Sequence, residues 1–138
     1  MQTQFRRNFC LVLGVLVLAL VARAEPALVG HKSLEGQALD ADGVKAVLLG
    51  KRVTLGSARV VIVISKASQA QDNFLQSHVG MTTAQFQNHW RRLFMTGGGS
   101  APKIVETEAD AAKLAAETAG AVAVVDATST SGLAILAH

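Results

Sequence analysis

Four polar residues, Ser65, Lys66, Ser68 and Gln69, follow directly on the short apolar run Arg59–Ile64. The run has no polar alternation after its first residue, which is typical of a strand buried on both faces of a parallel sheet. A helix is predicted to begin at Ser68, and the backbone N–H groups at a helix N-terminus attract anions. We therefore predict a small-anion site at Ser65–Gln69, with Lys66 adding positive charge. The alternative is a capped helix start with a solvent-facing lysine.

The other residues that could do chemistry lack the spacing of a known catalytic or metal site. Gly97–Gly99 could cradle a phosphate but are not followed by the Lys-Ser/Thr of a P-loop, which favours a flexible helix exit. No Gly-x-Ser-x-Gly motif occurs. Neither the histidines nor the grouped carboxylates have a ligand or catalytic pattern, and the carboxylates suit the first turn of a helix. We therefore predict no enzyme, no metal and no cofactor. The residues considered are His31, His78, His89, His138, Glu106, Glu108 and Asp110.

Helix signals recur along the chain, each with a side-chain cap before and a glycine after. The caps are Asp40 or Asp42, Ser68, Thr82 and Thr107, and the glycines are Gly50, Gly80, Gly97 and Gly120. Strands are predicted at Glu25–His31, Arg59–Ile64, Lys103–Val105, Ala121–Val125 and Leu133–Leu136, with a basic turn at Lys51–Ser57. This alternation predicts an α/β fold, in which a small, mainly parallel sheet is covered by about four helices.

Three of the helices begin with a capping-box pattern, in which residues three apart satisfy each other's backbone N–H groups. The pairs are Ser68 with Gln71, Thr82 with Gln85, and Thr107 with Asp110. In the helix that begins after Thr82, four apolar residues recur at helical spacing and predict its buried face. These are Phe86, Trp90, Leu93 and Phe94.

The first 24 residues have the pattern of a secretory signal peptide. Arg6 and Arg7 precede the apolar stretch Phe9–Val21, and Ala22–Ala24 reads A-x-A, a cleavage site. The stretch is shorter than the roughly 20 residues that span a bilayer, and an uncleaved anchor is the alternative. We therefore predict one domain over residues 25–138 that is exported to the periplasm and has no membrane contact after cleavage.

The charge of the predicted mature chain is balanced overall but uneven along its length. Of 13 Lys and Arg and 10 Asp and Glu, three basic residues and no acidic ones lie in residues 1–24, which leaves ten of each. No nucleic-acid partner is therefore indicated. Residues 25–103 carry nine basic and five acidic residues, so this half could face an anion, an acidic partner or solvent. Cys10 is the only cysteine, so the mature chain is predicted to have no disulfide.

Several motifs, taken in order, resemble those of short proteins similar to phosphate-transporter substrate-binding proteins. Leu48–Lys51 resembles the F-L-G-K that ends an early helix, and His78–Gly80 resembles a V-L-G that ends a helix carrying Phe74. Trp90–Gly97 is similar to a helix with a tryptophan and F-x-G, and Thr118–Asp126 to T-P-G-A-I-G-Y-V-D. The order holds across nearly the whole predicted mature chain. The resemblance implies one lobe of a type II periplasmic binding protein.

The resemblance implies phosphate or a similar small anion as the ligand, and a transporter or another periplasmic protein as the partner. The chain departs from the family pattern at Ser65–Asp72, where the bidentate arginine and the Ser-Asp-Gly-Ser-Gly-Thr-like segment are absent. A second lobe that would close over a ligand is also missing, unless two chains pair. Two functions stay open: a non-catalytic solute-binding domain, or an adaptor that has lost its ligand and contacts a protein through its basic surface and the Trp90–Phe94 helix.

Overall fold

The computed structural model describes residues 25–97, 101–130 and 132–138, and the predicted signal peptide lies outside these ranges. Its strands are β1 (Pro26–Gly30), β2 (Thr54–Leu55), β3 (Ala58–Arg59), β4 (Val61–Ala67), β5 (Lys103–Thr107), β6 (Ala121–Asp126) and β7 (Ala134–Ala137). Its α-helices are α1 (Ala41–Leu48), α2 (Gln69–Val79), α3 (Thr83–Met95) and α4 (Glu108–Glu117).

Five strands form one sheet in the order β5-β4-β6-β1-β7. β4 runs parallel to both β5 and β6, whereas β1 runs antiparallel to its neighbours β6 and β7. Four of the five strands therefore point the same way. The predicted α/β fold, with a mainly parallel sheet and four helices, is confirmed.

The helices cover both faces of this sheet unequally. α1, α2 and α3 pack on one face, where Val44, Phe74 and Trp90 join one core with the strand residues Ile62 and Ile64. α4 packs alone on the other face, where its alanines lie against β4 and β6. Because alanine side chains are short, α4 lies close to the sheet. None of the described helices is both long and apolar enough to cross a membrane.

Two segments differ from the sequence-based prediction. β4 continues to Ala67, so Ser65 and Lys66 belong to the strand instead of following it. Lys51–Ser57, predicted as a basic turn, contains β2, which forms a small hairpin with β3. The hairpin turns at Gly56, which has a φ of 59°, and its two-residue strands are too short to give an alternating apolar pattern.

The turn between α4 and β6 requires a glycine, Gly120. Gly120 has a φ of 76°, and a Cβ atom there would lie 2.0 Å from the carbonyl oxygen of Arg59. Its own carbonyl accepts a hydrogen bond of 2.9 Å from the backbone N–H of Val61. Only glycine combines this conformation with so close an approach. The turn therefore sets the start of β4 beside that of β6.

Candidate functional site

The hydroxyl of Ser68 is occupied at the start of α2. Ser68 is the N-cap residue, and its side chain accepts a hydrogen bond of 3.1 Å from the backbone N–H of Gln71. The predicted capping box is only half formed, because the Gln71 side chain does not return to the Ser68 backbone. At α3 the box between Thr82 and Gln85 is complete. The side chain of Gln71 therefore has another use.

The side chain of Gln71 instead belongs to a polar network that joins β4, α2 and α3 and is buried at Ser65 and Gln71. Gln71 is 2% exposed, and its Oε1 accepts hydrogen bonds from the backbone N–H and the hydroxyl of Ser65, at 2.9 and 3.2 Å. Its Nε2 donates to the carbonyl of Ser65 at 2.9 Å and to the hydroxyl of Thr83 at 3.2 Å. Thr83 in turn donates to the carboxylate of Asp72. Ser65, on β4, thus has a structural role as the hydrogen-bond partner of Gln71 on α2.

Lys66 and Gln69 are exposed, and the side chain of each contacts a polar side chain of this chain. The ammonium of Lys66 lies 2.7 Å from the Glu106 carboxylate on the neighbouring strand, with the two side chains 58% and 72% exposed. An ion pair so open to solvent contributes little to stability and exchanges readily. Gln69 donates a hydrogen bond of 2.9 Å to Asn73, one turn along α2.

The structure thus brings the four predicted anion-binding residues to one end of β4, but each is engaged within the chain. Asp72 also places a carboxylate beside the first turns of both α2 and α3, where it compensates their positive ends. The sequence-based prediction named Ser65, Lys66, Ser68 and Gln69 but not Gln71, because the spacing of Gln71 from Ser68 matches a capping box. The four positions remain a predicted anion site.

The histidine and acidic side chains of the described ranges do not form a cluster that could bind a metal ion. No three His, Cys, Asp or Glu residues stand close enough there to hold a metal ion together. His31 bonds Ser33, and His89 lies 3.1 Å from the carbonyl of Leu49. His78 stacks on Phe74. These histidines support loops and helix packing.

A second surface, which the sequence did not indicate as a whole, lies between α3 and β5. Arg91 and Phe94 on α3 face Pro102 and Ile104 across an open groove of about 180 Å³, and we name these four residues the α3–β5 surface. Phe94 is 57% and Ile104 52% exposed, so both are large apolar side chains left in water. The predicted buried stripe of α3 is therefore wrong at Phe94, whereas Phe86 and Trp90 are buried.

The edge of the sheet is open beside this groove. β5 pairs with β4 on one side, and no described strand covers its other side. Ile104 lies opposite Ile64 in the register of the two strands, and both line the groove on the side of α3. An uncovered edge presents backbone N–H and C=O groups that another strand can pair with.

The α3 side of the groove is basic. α3 contains Arg91 and Arg92 and no acidic residue, whereas Lys103, which precedes Ile104 on β5, points to the opposite face of the sheet. All ten Asp and Glu lie within the described residues, where the single ion pair is that of Lys66 with Glu106. Arg91 and Arg92 are therefore not paired with carboxylates. A smaller cleft on the other side of Trp90 is lined by Arg52 and Arg59, which extends the positive charge.

Comparison with known proteins gives a fold and no family. No family model matches the chain, and no curated protein matches its sequence. The crystal structure of an ABC-type phosphate transport receptor from Vibrio cholerae matches with a TM-score of 0.57 and 13% sequence identity. The match covers 81% of this chain but 45% of the receptor, so the chain spans less than half the receptor's length. The chain is therefore similar in fold to part of a phosphate transport receptor.

Proposed function

We propose that the chain is a non-catalytic binding domain, built like one lobe of a solute-binding protein, that acts by binding another protein through the α3–β5 surface. Residues 1–24 direct it to the periplasm, and residues 25–138 form its single domain. The observation that carries this proposal is the exposure of Phe94 and Ile104 beside an unpaired sheet edge. Exposed apolar groups that lie together on a soluble domain mark contact sites.

The openness and charge of the groove support a protein ligand over a small solute. The groove, of about 180 Å³, is open along one side, whereas the site of a small solute encloses most of the surface of its ligand. An apolar centre with arginines at its border is the usual composition of a protein interface. The side chains predicted to bind an anion, by contrast, already have partners within the chain.

Site-specific photo-crosslinking tests this proposal. A photoreactive phenylalanine analogue placed at Phe94 or Ile104 of the full chain, in the cells that produce it, is expected to yield one discrete adduct with another protein. Ile135 on β7 is the matched control, because it is a 46% exposed isoleucine on the opposite edge of the sheet. Equal adducts from all three positions, or none from Phe94 and Ile104, would contradict the proposal.

Anion capture is the second candidate, and the fold of the phosphate transport receptor is the observation that favours it. In this mode the N–H groups of Gln69 and Ala70 would donate to the anion, and Lys66 would leave Glu106 to add charge. Ser68 and Ser65 would act by holding the first turn of α2 in place. Phosphate would then change the environment of the Gln69 and Ala70 amides, and Lys66→Ala would weaken its binding.

A further inference from the structure

The groove between α3 and β5 lies beside the unpaired edge of β5, so one ligand could contact both. We infer that the partner binds as an extended segment that adds a strand to β5. Among the residues of the segment whose side chains point toward α3, apolar and acidic residues alternate. This inference rests on the proposed function and specifies the chemistry of the partner.

The backbone of β5 supplies the pairing. β5 is held in the sheet by parallel pairing with β4 along Lys103–Thr107, and no described strand pairs with its outer edge. A segment laid against that edge gains backbone hydrogen bonds regardless of its sequence. Because side chains alternate along a strand, every second residue of the segment would point to the α3 side of the sheet. Recognition then depends on what those residues meet.

The groove residues that they meet are apolar and basic, and Glu106, which lies on the same side of β5 two residues beyond Ile104, is already paired with Lys66. Phe94, Pro102 and Ile104 offer an apolar groove wide enough for a side chain, and Arg91 lines the same groove. Arg92 follows on α3. A valine or leucine in the groove, with a glutamate or aspartate two residues away, satisfies both kinds of contact. Arginine beside an apolar contact also favours a carboxylate through planar, two-pronged hydrogen bonding.

The same charges disfavour a second copy of this chain. Two copies joined edge to edge through antiparallel β5 strands would form one continuous sheet, with both α3 helices on the same face. Arg91 and Arg92 of each copy would then stand on that face, where the carboxylate that β5 contributes, that of Glu106, is already paired with Lys66. Like charges brought together across an interface weaken it. A partner with acidic side chains would instead be attracted to Arg91 and Arg92.

Fluorescence anisotropy with short labelled peptides tests the inference. The probe, called the Val–Glu peptide, is a soluble peptide with the repeat Val-Thr-Glu-Thr, so that a valine and a glutamate two residues apart point to the same side of the strand. Its controls are the same peptide with Lys in place of Glu, and the same peptide with its central residues replaced by Pro, which removes backbone donors. The full chain is expected to bind the Val–Glu peptide at least about tenfold more tightly than either control. Equal binding of the Lys or Pro peptide would overturn the inference.

Variants locate the binding on the protein. Ile104→Asp and Arg91→Glu are each expected to weaken binding of the Val–Glu peptide by about tenfold or more, since both groups contact it directly. Ile135→Asp, the same change on the opposite edge, should alter binding less than twofold, a limit of about 0.4 kcal/mol. If Ile104→Asp does not fold, Arg91→Glu still decides, because Arg91 is an exposed helix residue. Full binding by a folded Arg91→Glu variant would overturn the inference.

The remaining outcomes distinguish other occupants and separate this inference from the proposed function. Self-association that Ile104→Asp abolishes would identify a second copy, and binding to anionic phosphatidylglycerol vesicles in place of peptide would identify a membrane. Either result would overturn the inference. A discrete protein adduct at Ile104 without any peptide binding would leave the proposed function standing and refute the strand mode.

Discussion

Replacing Trp90 by alanine is expected to lower the free energy of unfolding by about 4 kcal/mol, as is typical of removing a large buried aromatic residue. Trp90 is buried in the main core, stands edge-on to Phe86, and donates a hydrogen bond of 2.9 Å from Nε1 to the carbonyl of Leu48. The change removes apolar burial and leaves that carbonyl without its donor. Equilibrium unfolding in urea measures the loss.

Phe94 provides the matched control for Trp90, because it is an aromatic residue one turn further along α3 but 57% exposed. Phe94→Ala should change the free energy of unfolding by less than about 1 kcal/mol, since it leaves no cavity. It should nevertheless weaken binding at the α3–β5 surface. Equal destabilisation by the two substitutions would mean that Phe94 is part of the core and would contradict the assignment of the groove.

Replacing Gln71 by leucine is expected to lower the free energy of unfolding by about 3 kcal/mol. Leucine has a similar size, so the change removes hydrogen bonds and creates little empty space. The backbone N–H and carbonyl of Ser65 lose their side-chain partner inside the protein, and each unsatisfied buried group costs about 1–3 kcal/mol. Thermal or urea unfolding measures the effect.

The control for Gln71 is Gln69, two residues away on the same helix. Gln69→Leu should cost less than about 0.5 kcal/mol, because this side chain is exposed and bonds only Asn73. The comparison also bears on function, since the Gln71 network ties α3 to the end of β4 and so sets the position of the groove. A Gln71→Leu variant as stable as the Gln69→Leu variant would show that the network does not hold these elements.

Helix positions were predictable from the sequence because the signals that set them are local. Ser68, Thr82 and Thr107 each accept a hydrogen bond from the N–H three residues on, as predicted. The hydrogen-bond partner of the Gln71 side chain could not be predicted from local sequence signals. That side chain could reach the Ser68 backbone or the end of β4, and only the packing of α2 against the sheet decides between them.

The exposure of Phe94 and the direction of β1 depend on the whole fold. The spacing of Phe86, Trp90, Leu93 and Phe94 predicts one buried side of α3, and the prediction holds at Phe86 and Trp90 but is wrong at Phe94. Phe94 lies near the end of α3, where that side faces the groove beside β5 instead of the core. Similarly, the apolar run at Pro26–Gly30 predicts a strand but does not give its direction, which follows from its position between β6 and β7.

Backbone amide chemical shifts distinguish binding at the α3–β5 surface from binding at the start of α2. The full chain would be titrated first with phosphate and then with the Val–Glu peptide. We expect the peptide to shift the amide resonances of β5 and of Arg91–Phe94, and phosphate to leave those of Gln69 and Ala70 unchanged. Phosphate-dependent shifts at Gln69 and Ala70, with no response of β5 to the peptide, would contradict binding at the α3–β5 surface.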